Sequence, residues 1–211
     1  HKYDLICRKL DLQPGQRLLD IGCGWGGMVR HAARHYGVRA LGVTLSREQA
    51  TWAQEEIKRQ GLDDLAEVRH ADYRDVTERD FDAVSSIGLT EHIGVANYPA
   101  YFAFIRDRLK PQGRMLNHCI TRKDNANRPT GAFIDRYVFP NGELAHIGTV
   151  LTTLQEGGLE AVDIENLRRH YARTVALWSE AFEARRDRIR ALVDDKRWRI
   201  WRVYLAGCAW A

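Results

Sequence analysis

Leu18-Leu19-Asp20-Ile21-Gly22-Cys23-Gly24-Trp25-Gly26-Gly27 is the stretch that decides how this chain folds. It begins inside a short apolar run, Arg17–Ile21, and is followed by Met28–Tyr36, whose apolar residues have helical spacing. The glycines therefore join a strand to a helix. Without a Cβ, they let the backbone turn tightly and lie directly against a ligand. The spacing Gly22-x-Gly24-x-Gly26 is tighter than the dinucleotide pattern G-x-G-x-x-G, and an acid, Asp20, stands just ahead of it. A second acid is expected at the end of the next strand of a dinucleotide-binding sheet, about 20 residues on. Here that strand ends Gly42-Val43-Thr44-Leu45-Ser46, with no acid, which disfavours a nicotinamide dinucleotide.

On both sides of the turn, strand-like and helix-like segments alternate. His1–Leu10 reads as a helix that stops before the turn signal Pro14-Gly15. Val38–Val43 is the second strand. Ser46 can cap a helix running to about Gln60, with Gln49 at the capping-box position and Gly61 after its end. Glu67–Ala71 and Phe81–Ile87 read as strands three and four. Tyr98–Leu109 reads as a helix closed by Pro111-Gln112-Gly113, and Arg114–Ile120 as strand five. Further on, a helix near Val150–Glu156, a strand over Leu159–Leu167, and Arg-rich helices over Val175–Val193 and Trp198–Leu205 are expected. Such alternation predicts an α/β fold, a mostly parallel central sheet covered by helices on both faces. Ligands in such sheets bind past the carboxyl ends of the strands. That rule points to residues 22–27, 44–49, 71–73, 88–92 and 118–120.

Length and composition fit one globular domain of 211 residues. No apolar run approaches the roughly 20 residues needed to span a bilayer, and the first residues carry no secretory signal. The chain lacks an initiator Met and stops inside an apolar segment, so a piece of a longer chain, cut at both ends, is expected. Cys7, Cys23, Cys119 and Cys208 form no CxxC pair, which argues against a zinc site or disulfide framework and fits a reducing cytoplasm. The net charge of +4 is uneven: Asn166–Arg202 holds eleven Lys/Arg against five Asp/Glu. That balance reads either as a solvated helical face or as a patch meeting an anionic membrane surface, the inner face of the membrane. Nucleic acid is disfavoured because no nucleic-acid motif accompanies the charge. A homodimer stays open.

The glycine turn after an acid resembles motif I of S-adenosylmethionine (SAM)-dependent methyltransferases, and several further segments narrow the likeness. Gly42-Val43-Thr44-Leu45-Ser46-Arg47-Glu48-Gln49 resembles the second motif of the cyclopropane-fatty-acid and mycolic acid cyclopropane synthases. Ser85-Ser86-Ile87-Gly88 with Glu91-His92-Ile93-Gly94 is similar to that family's S-[IV]-G-x-x-E-H-x-G, and Met115-Leu116-Asn117-His118-Cys119-Ile120 to its L-L-H-T-I. Arg136–Leu144 resembles K-Y-I-F-P-[GN]-G-x-L, and His170-Tyr171-Ala172-Arg173-Thr174 with Trp178 resembles H-Y-x-x-T-L-x-x-W. The motifs occur in order over nearly the whole chain.

The resemblance implies a Rossmann-like class I SAM methyltransferase. It implies a cofactor site made of Asp20, Gly22, Gly24, Gly26, Thr44, Leu45, Gln49, Asp72 and Tyr73, the last two at the adenine. It also implies a bicarbonate ion held by Glu91, His118, Tyr171 and a backbone group at Ile120. A cysteine that also holds the ion in the family lies upstream of His1, and Cys7 is not its counterpart. The substrate implied is an unsaturated acyl chain or phospholipid. Methyl transfer to an alkene carbon needs no deprotonated nucleophile, but a base must remove a proton from the new methyl group before a ring closes. Glu91 and His118 suit that task, and the Tyr171 face suits cationic charge. Phe133, Tyr137, Phe139 and Trp178 are candidates to line an acyl tunnel. Thr90, Cys119 and Ala145-His146 depart from the family's usual residues. A small-molecule N-methyltransferase on the same scaffold, a methyl-branched or hydroxylated product, and a non-catalytic SAM-binding or lipid-binding module are the rival readings.

Overall fold

A computed structural model describes residues 1–124, 131–140 and 142–210, the side chain of Trp210 excepted. The chain divides into two compact units: His1–Asn125 with Glu143–Glu160, and Ala126–Gly142 with Ala161–Ala211. No described helix is long and apolar enough to cross a membrane.

The first unit is built on a parallel sheet. Helix α1 (Lys2–Lys9) leads into β1 (Arg17–Ile21), α2 (Gly27–Tyr36), β2 (Arg39–Thr44), α3 (Arg47–Arg59), β3 (Ala66–His70) and β4 (Phe81–Ile87). A short α4 (Thr90–Ile93), α5 (Tyr98–Arg108) and β5 (Leu109–His118) follow. The strand order is β3-β2-β1-β4-β5, every pair parallel. The order reverses at β1 and β4, so the ends of these two strands flank the crevice where such sheets take ligands.

Alternation along the strands gives each face its own core. Leu18, Ala40, Val68 and Ala83 face α1, α2 and α3, whose contacting residues are mostly small: Val29, Ala32, Ala33, Ala50 and Ala53. Leu19, Ile21, Val43 and Val84 face the other way, onto Tyr98, Tyr101, Phe102 and Ile105 of α5. Helix α7 (Ile147–Glu156) adds Val150 to that aromatic side.

Strand β5 begins at Leu109, not Arg114, because Leu109 already pairs with Phe81. The register then shifts, so Pro111-Gln112-Gly113 is an excursion within the strand. Gln112 takes a φ of 63° in that excursion. The cap of α3 is half a capping box: the Ser46 hydroxyl accepts from the Gln49 N–H at 3.2 Å. The Gln49 side chain, however, accepts from the Thr44 hydroxyl at 2.7 Å instead of reaching back to Ser46.

The second unit holds α6 (Ala132–Tyr137), α8 (Arg168–Ala184), α9 (Arg186–Leu192) and α10 (Asp195–Trp210). Leu159–Leu167 is not a strand; Val162 and Ile164 in it are exposed, so its apolar residues face no sheet. Helix α8 starts at Arg168, well before the expected Val175, and helical structure is interrupted at Arg185. Val175, Trp198 and Leu205 are buried, and Trp198 stacks on Phe182 with ring centroids 6.4 Å apart. Three guanidinium groups, Arg186, Arg190 and Arg202, lie 5.0–5.7 Å from the Trp198 ring.

Candidate active site

The glycine turn is fixed by backbone bonding to the neighbouring strand. The N–H groups of Gly22 and Cys23 both donate to the Val43 carbonyl at 3.0 Å. The Gly26 N–H donates to the Cys23 carbonyl, which closes the loop before α2 begins. Gly22, Gly24 and Gly26 have φ of 71°, 55° and 68°, a region in which other residues are strained. Packing from below adds a second requirement. A Cβ on Gly42 would stand 2.7–2.9 Å from Val29 and Cys23, so a bare β2 is what lets the turn and α2 sit down. At Gly24 the opposite holds: among the described residues, no atom lies within 4 Å of where a Cβ would point. The turn is therefore packed against the sheet on one side and open on the other, as a cradle for a ligand must be.

Asp20 lies under this turn, 2% exposed, and its carboxyl accepts from the Ser85 hydroxyl at 2.6 Å. The two residues are register partners on β1 and β4. Burial pushes the Asp20 pKa up to about 7, against the lowering effect of Ser85 and Lys2. At the end of β2, Thr44 is tied to Gln49, and Leu45 is exposed while its carbonyl meets His70 Nε2 at 3.1 Å. Past β3, Asp72 caps a short 3-10 turn and is bound in a fork by Arg74 at 2.7 and 3.0 Å, which lowers its pKa. The Tyr73 ring stands edge-on against Tyr101 and Phe104, both at 5.2 Å, so it is pinned in the aromatic core's margin.

The ends of β4 and β5 carry the acid–base groups. Ile87 and His118 are register partners, and the Gly88 N–H donates to the His118 carbonyl at 2.8 Å. Glu91 is 8% exposed on α4. Its Oε1 accepts from the Ile120 N–H at 2.7 Å, which ties α4 to the end of β5 across 29 residues of chain. Ile120 thus contributes its amide to Glu91. The second oxygen, Oε2, is buried and has no hydrogen-bond partner among the described residues. Burial lowers the His118 pKa and Glu91 raises it, with burial the larger effect, so the environment favours the neutral imidazole. The Cys119 thiol is held protonated by burial, which removes it as a nucleophile.

Beneath this end, aromatic hydroxyls act as props. Tyr101 Oη donates to Ser86 Oγ at 2.7 Å, and Tyr98 Oη to the Thr90 carbonyl at 3.0 Å, all buried. Glu143 closes the segment from outside: its N–H donates to the Glu91 carbonyl, and its carboxyl accepts from the Val95 N–H at 2.8 Å. Sequence reading does not single out Ser85, Ser86, Tyr98 or Tyr101 as site residues; two serines side by side near the end of β4 are the available signal. Tyr171 stands on α8 of the second unit, partly exposed, with its ring edge-on to Trp178 at 6.2 Å. Phe133 and Tyr137 pair on α6, and Phe139 meets Tyr204. Part of the Arg136–Leu144 motif, Asn141, lies outside the described residues.

Comparison with known proteins shows the family and the fold. The family model described as mycolic acid cyclopropane synthetase matches residues 1–211. A protein of Mycobacterium tuberculosis named a probable fatty acid methyltransferase is 55% identical over 98% of this chain, which covers 48% of that protein. The cyclopropane-fatty-acyl-phospholipid synthase of Escherichia coli K12 is 38% identical over the whole chain, 53% of its own length. The chain thus spans about half the length of these curated relatives. Among solved structures, mycolic acid cyclopropane synthase CmaA1 complexed with SAH and CTAB superposes with a TM-score of 0.88 at 34% identity, over 99% of this chain and 77% of that one.

Proposed function

This chain belongs to the mycolic acid cyclopropane synthetase family of SAM-dependent methyltransferases, and on that premise we propose that it carries the cofactor site and acid–base groups of a C-methyltransferase. The acceptor is the cis double bond of an unsaturated acyl chain, carried in a phospholipid, and the enzyme adds a methylene or methyl group to it. SAM supplies an electrophilic methyl on a sulfonium. The Gly22–Gly27 turn, open above Gly24, receives the methionyl end with Asp20 beneath it. Thr44, Leu45 and Gln49 stand at the next strand end for the ribose. Asp72 and Tyr73 stand at the third for the adenine, where Asp72 shares its carboxyl with Arg74.

The observation that carries this reading is the pair Glu91 and His118 at neighbouring strand ends, one Glu91 oxygen buried and unpartnered. An alkene attacks the methyl without prior deprotonation, so the demand for a base comes afterwards. His118, kept neutral by burial, can take a proton. Glu91 Oε2 is an acceptor without a donor, which suits the hydroxyl of a bicarbonate, the ion that the family resemblance implies. The reading extends to a membrane-borne substrate because the second unit exposes Leu177, Trp178, Trp201 and Val203 among its arginines, the residue mix of an interfacial surface.

The test is lipid mass spectrometry of a host expressing the full-length protein. A gain of one CH2 on unsaturated phospholipids is expected; unchanged lipids overturn the proposal. Co-sedimentation with phosphatidylglycerol vesicles, fading as salt rises, checks the membrane surface. Equal binding to neutral vesicles removes that part.

A further inference from the structure

Past the carboxyl ends of β1 and β2 the rim of the crevice is aromatic. Trp25, between Gly24 and Gly26 in the turn, is 52% exposed, and Trp52 on α3 is 44% exposed. Their rings meet edge to face at 90°, with centroids 5.5 Å apart. Arg30 of α2 locks the pair. Its Nη1 donates to the Trp25 carbonyl at 2.8 Å, and its guanidinium carbon lies 5.1 Å from the centroid of the Trp52 ring. Ile21 and Val43 are register partners, so the chain leaving β2 runs beside the turn, and there Leu45 is 73% exposed. The charge beside these rings is positive. Arg34 stands one helical turn after Arg30 on the same face of α2, a spacing at which like charges repel. Arg59 is spent on Glu56, but among the described residues Arg30 and Arg34 form no ion pair.

Two half-exposed indoles offer on the order of 200 Å² of apolar area, about a quarter of the roughly 800 Å² that each partner buries in a stable protein interface. That is too little to hold a second copy of the chain. It suits a bilayer surface, where indoles act singly at the headgroup level and arginines meet the phosphates. We infer that Trp25, Trp52, Arg30 and Arg34 form a ledge that docks on an anionic phospholipid surface, the indoles at the headgroup level and the guanidiniums against phosphate oxygens. The ledge borders the open side of Gly24, so the mouth of the crevice then abuts the lipid. An acyl chain needs that approach, because crossing water to reach a sulfonium methyl exposes its apolar surface. The ledge stands on its own geometry and charge; its use in delivering an acyl chain rests on the function proposed above. It belongs to the first unit and shares no residue with the exposed surface of the second.

The experiment uses the full-length protein carrying Trp178→Phe and Trp201→Phe, which silence the exposed indoles of the second unit. The vesicles are phosphatidylglycerol mixed with phosphatidylcholine brominated on its acyl chains, since bromine quenches indole fluorescence only at short range. Fluorescence is expected to fall on vesicle binding, and that fall is expected to vanish when Trp25→Phe and Trp52→Phe are added. Trp52→Phe alone, on α3 and outside the turn, is expected to remove part of it, which decides the question even where the change at Trp25 unsettles the turn. Arg30→Gln and Arg34→Gln are expected to weaken vesicle affinity roughly five-fold each at low salt and to flatten its salt dependence. Bromine quenching that is the same with and without Trp25 and Trp52 overturns the ledge. Protection of these two indoles from acrylamide in vesicle-free solution also overturns it, because the rest of the full-length chain or a second copy then covers them. Quenching assigned to the ledge in a protein that makes no acyl product keeps the surface and removes the acceptor proposed above; product without that quenching removes the surface alone.

Discussion

Two ends of the same crevice are built on different principles. At the ends of β1 and β2 the polypeptide presents backbone: three glycines with positive φ, two amides spent on Val43, and open space above Gly24. The face of the sheet behind it is lined by alanines and valines, which let α2 and α3 come close. At the ends of β4 and β5 it presents buried side chains, some with unmet bonding atoms, propped from behind by Tyr98 and Tyr101. A backbone cradle binds a ligand by shape and tolerates little change in the residue that makes it. A buried polar cluster tolerates isosteric change in shape but not in chemistry. In the function proposed above, the first design serves affinity and the second serves turnover.

Replacing Gly24 tests the first half most severely. Gly24→Val puts a branched side chain into the space above the turn and forces it into a left-handed conformation costing roughly 1–2 kcal/mol. Calorimetry is expected to show complete loss of SAM binding in a protein that remains folded by circular dichroism. Retained affinity in the folded variant breaks the assignment of this end to the cofactor.

Replacing the acid–base pair sharpens the contrast. Glu91→Gln keeps the bond from the Ile120 amide but removes proton capacity, and His118→Gln removes the neutral ring. Each is expected to lower the methyl-transfer rate by roughly 10²–10⁴ while SAM affinity stays within a few-fold. Parent-like turnover in both variants removes the acyl-chain mechanism and favours methylation of an amine, whose nitrogen lone pair needs no such base.

The two ends were also unequally legible from sequence. The cradle is local: its glycines, the acid before them and the strand and helix around them lie within about twenty residues, so spacing alone revealed it. Half of the α3 cap was legible for the same reason. The end formed by β4 and β5 depends on register. Glu91 and Ile120 are brought together by the pairing of β4 with β5, and the Asp20–Ser85 bond joins residues 65 apart. Motif likeness named Glu91 and His118, but no pattern showed which Glu91 oxygen is engaged or that Tyr98 and Tyr101 support this end. Pro111-Gln112-Gly113 read as a boundary because Pro and Gly punctuate chains, yet the strand had already paired at Leu109 and absorbed the turn as an irregularity. Leu159–Leu167 showed apolar residues with strand-like character, but a strand also needs a neighbour with a free edge, and that cannot be read locally.

Asp20 lies where the two ends meet, and its titration measures the cost of the junction. Its carboxyl is buried between β1 and β4, and its pKa is raised from 3.8 to about 7. The folded protein therefore holds this proton more tightly than the unfolded chain does. The resulting stability is fully present below the unfolded value near pH 4, declines as pH rises toward 7, and is gone above that. At about 1.4 kcal/mol per unit, the swing is on the order of 4 kcal/mol. Asp20→Asn keeps an oxygen for the Ser85 hydroxyl and removes the titration. Urea unfolding of the ligand-free protein is expected to lose stability between pH 4 and 7 in the parent and to show a shallower slope in Asp20→Asn. Bound SAM carries cationic charge over this end and favours the ionised carboxyl, so it is expected to shift the parent's transition to lower pH and leave the variant unmoved. Parallel stability curves for parent and variant show that the junction is hydrated and that the boundary between the two designs costs nothing.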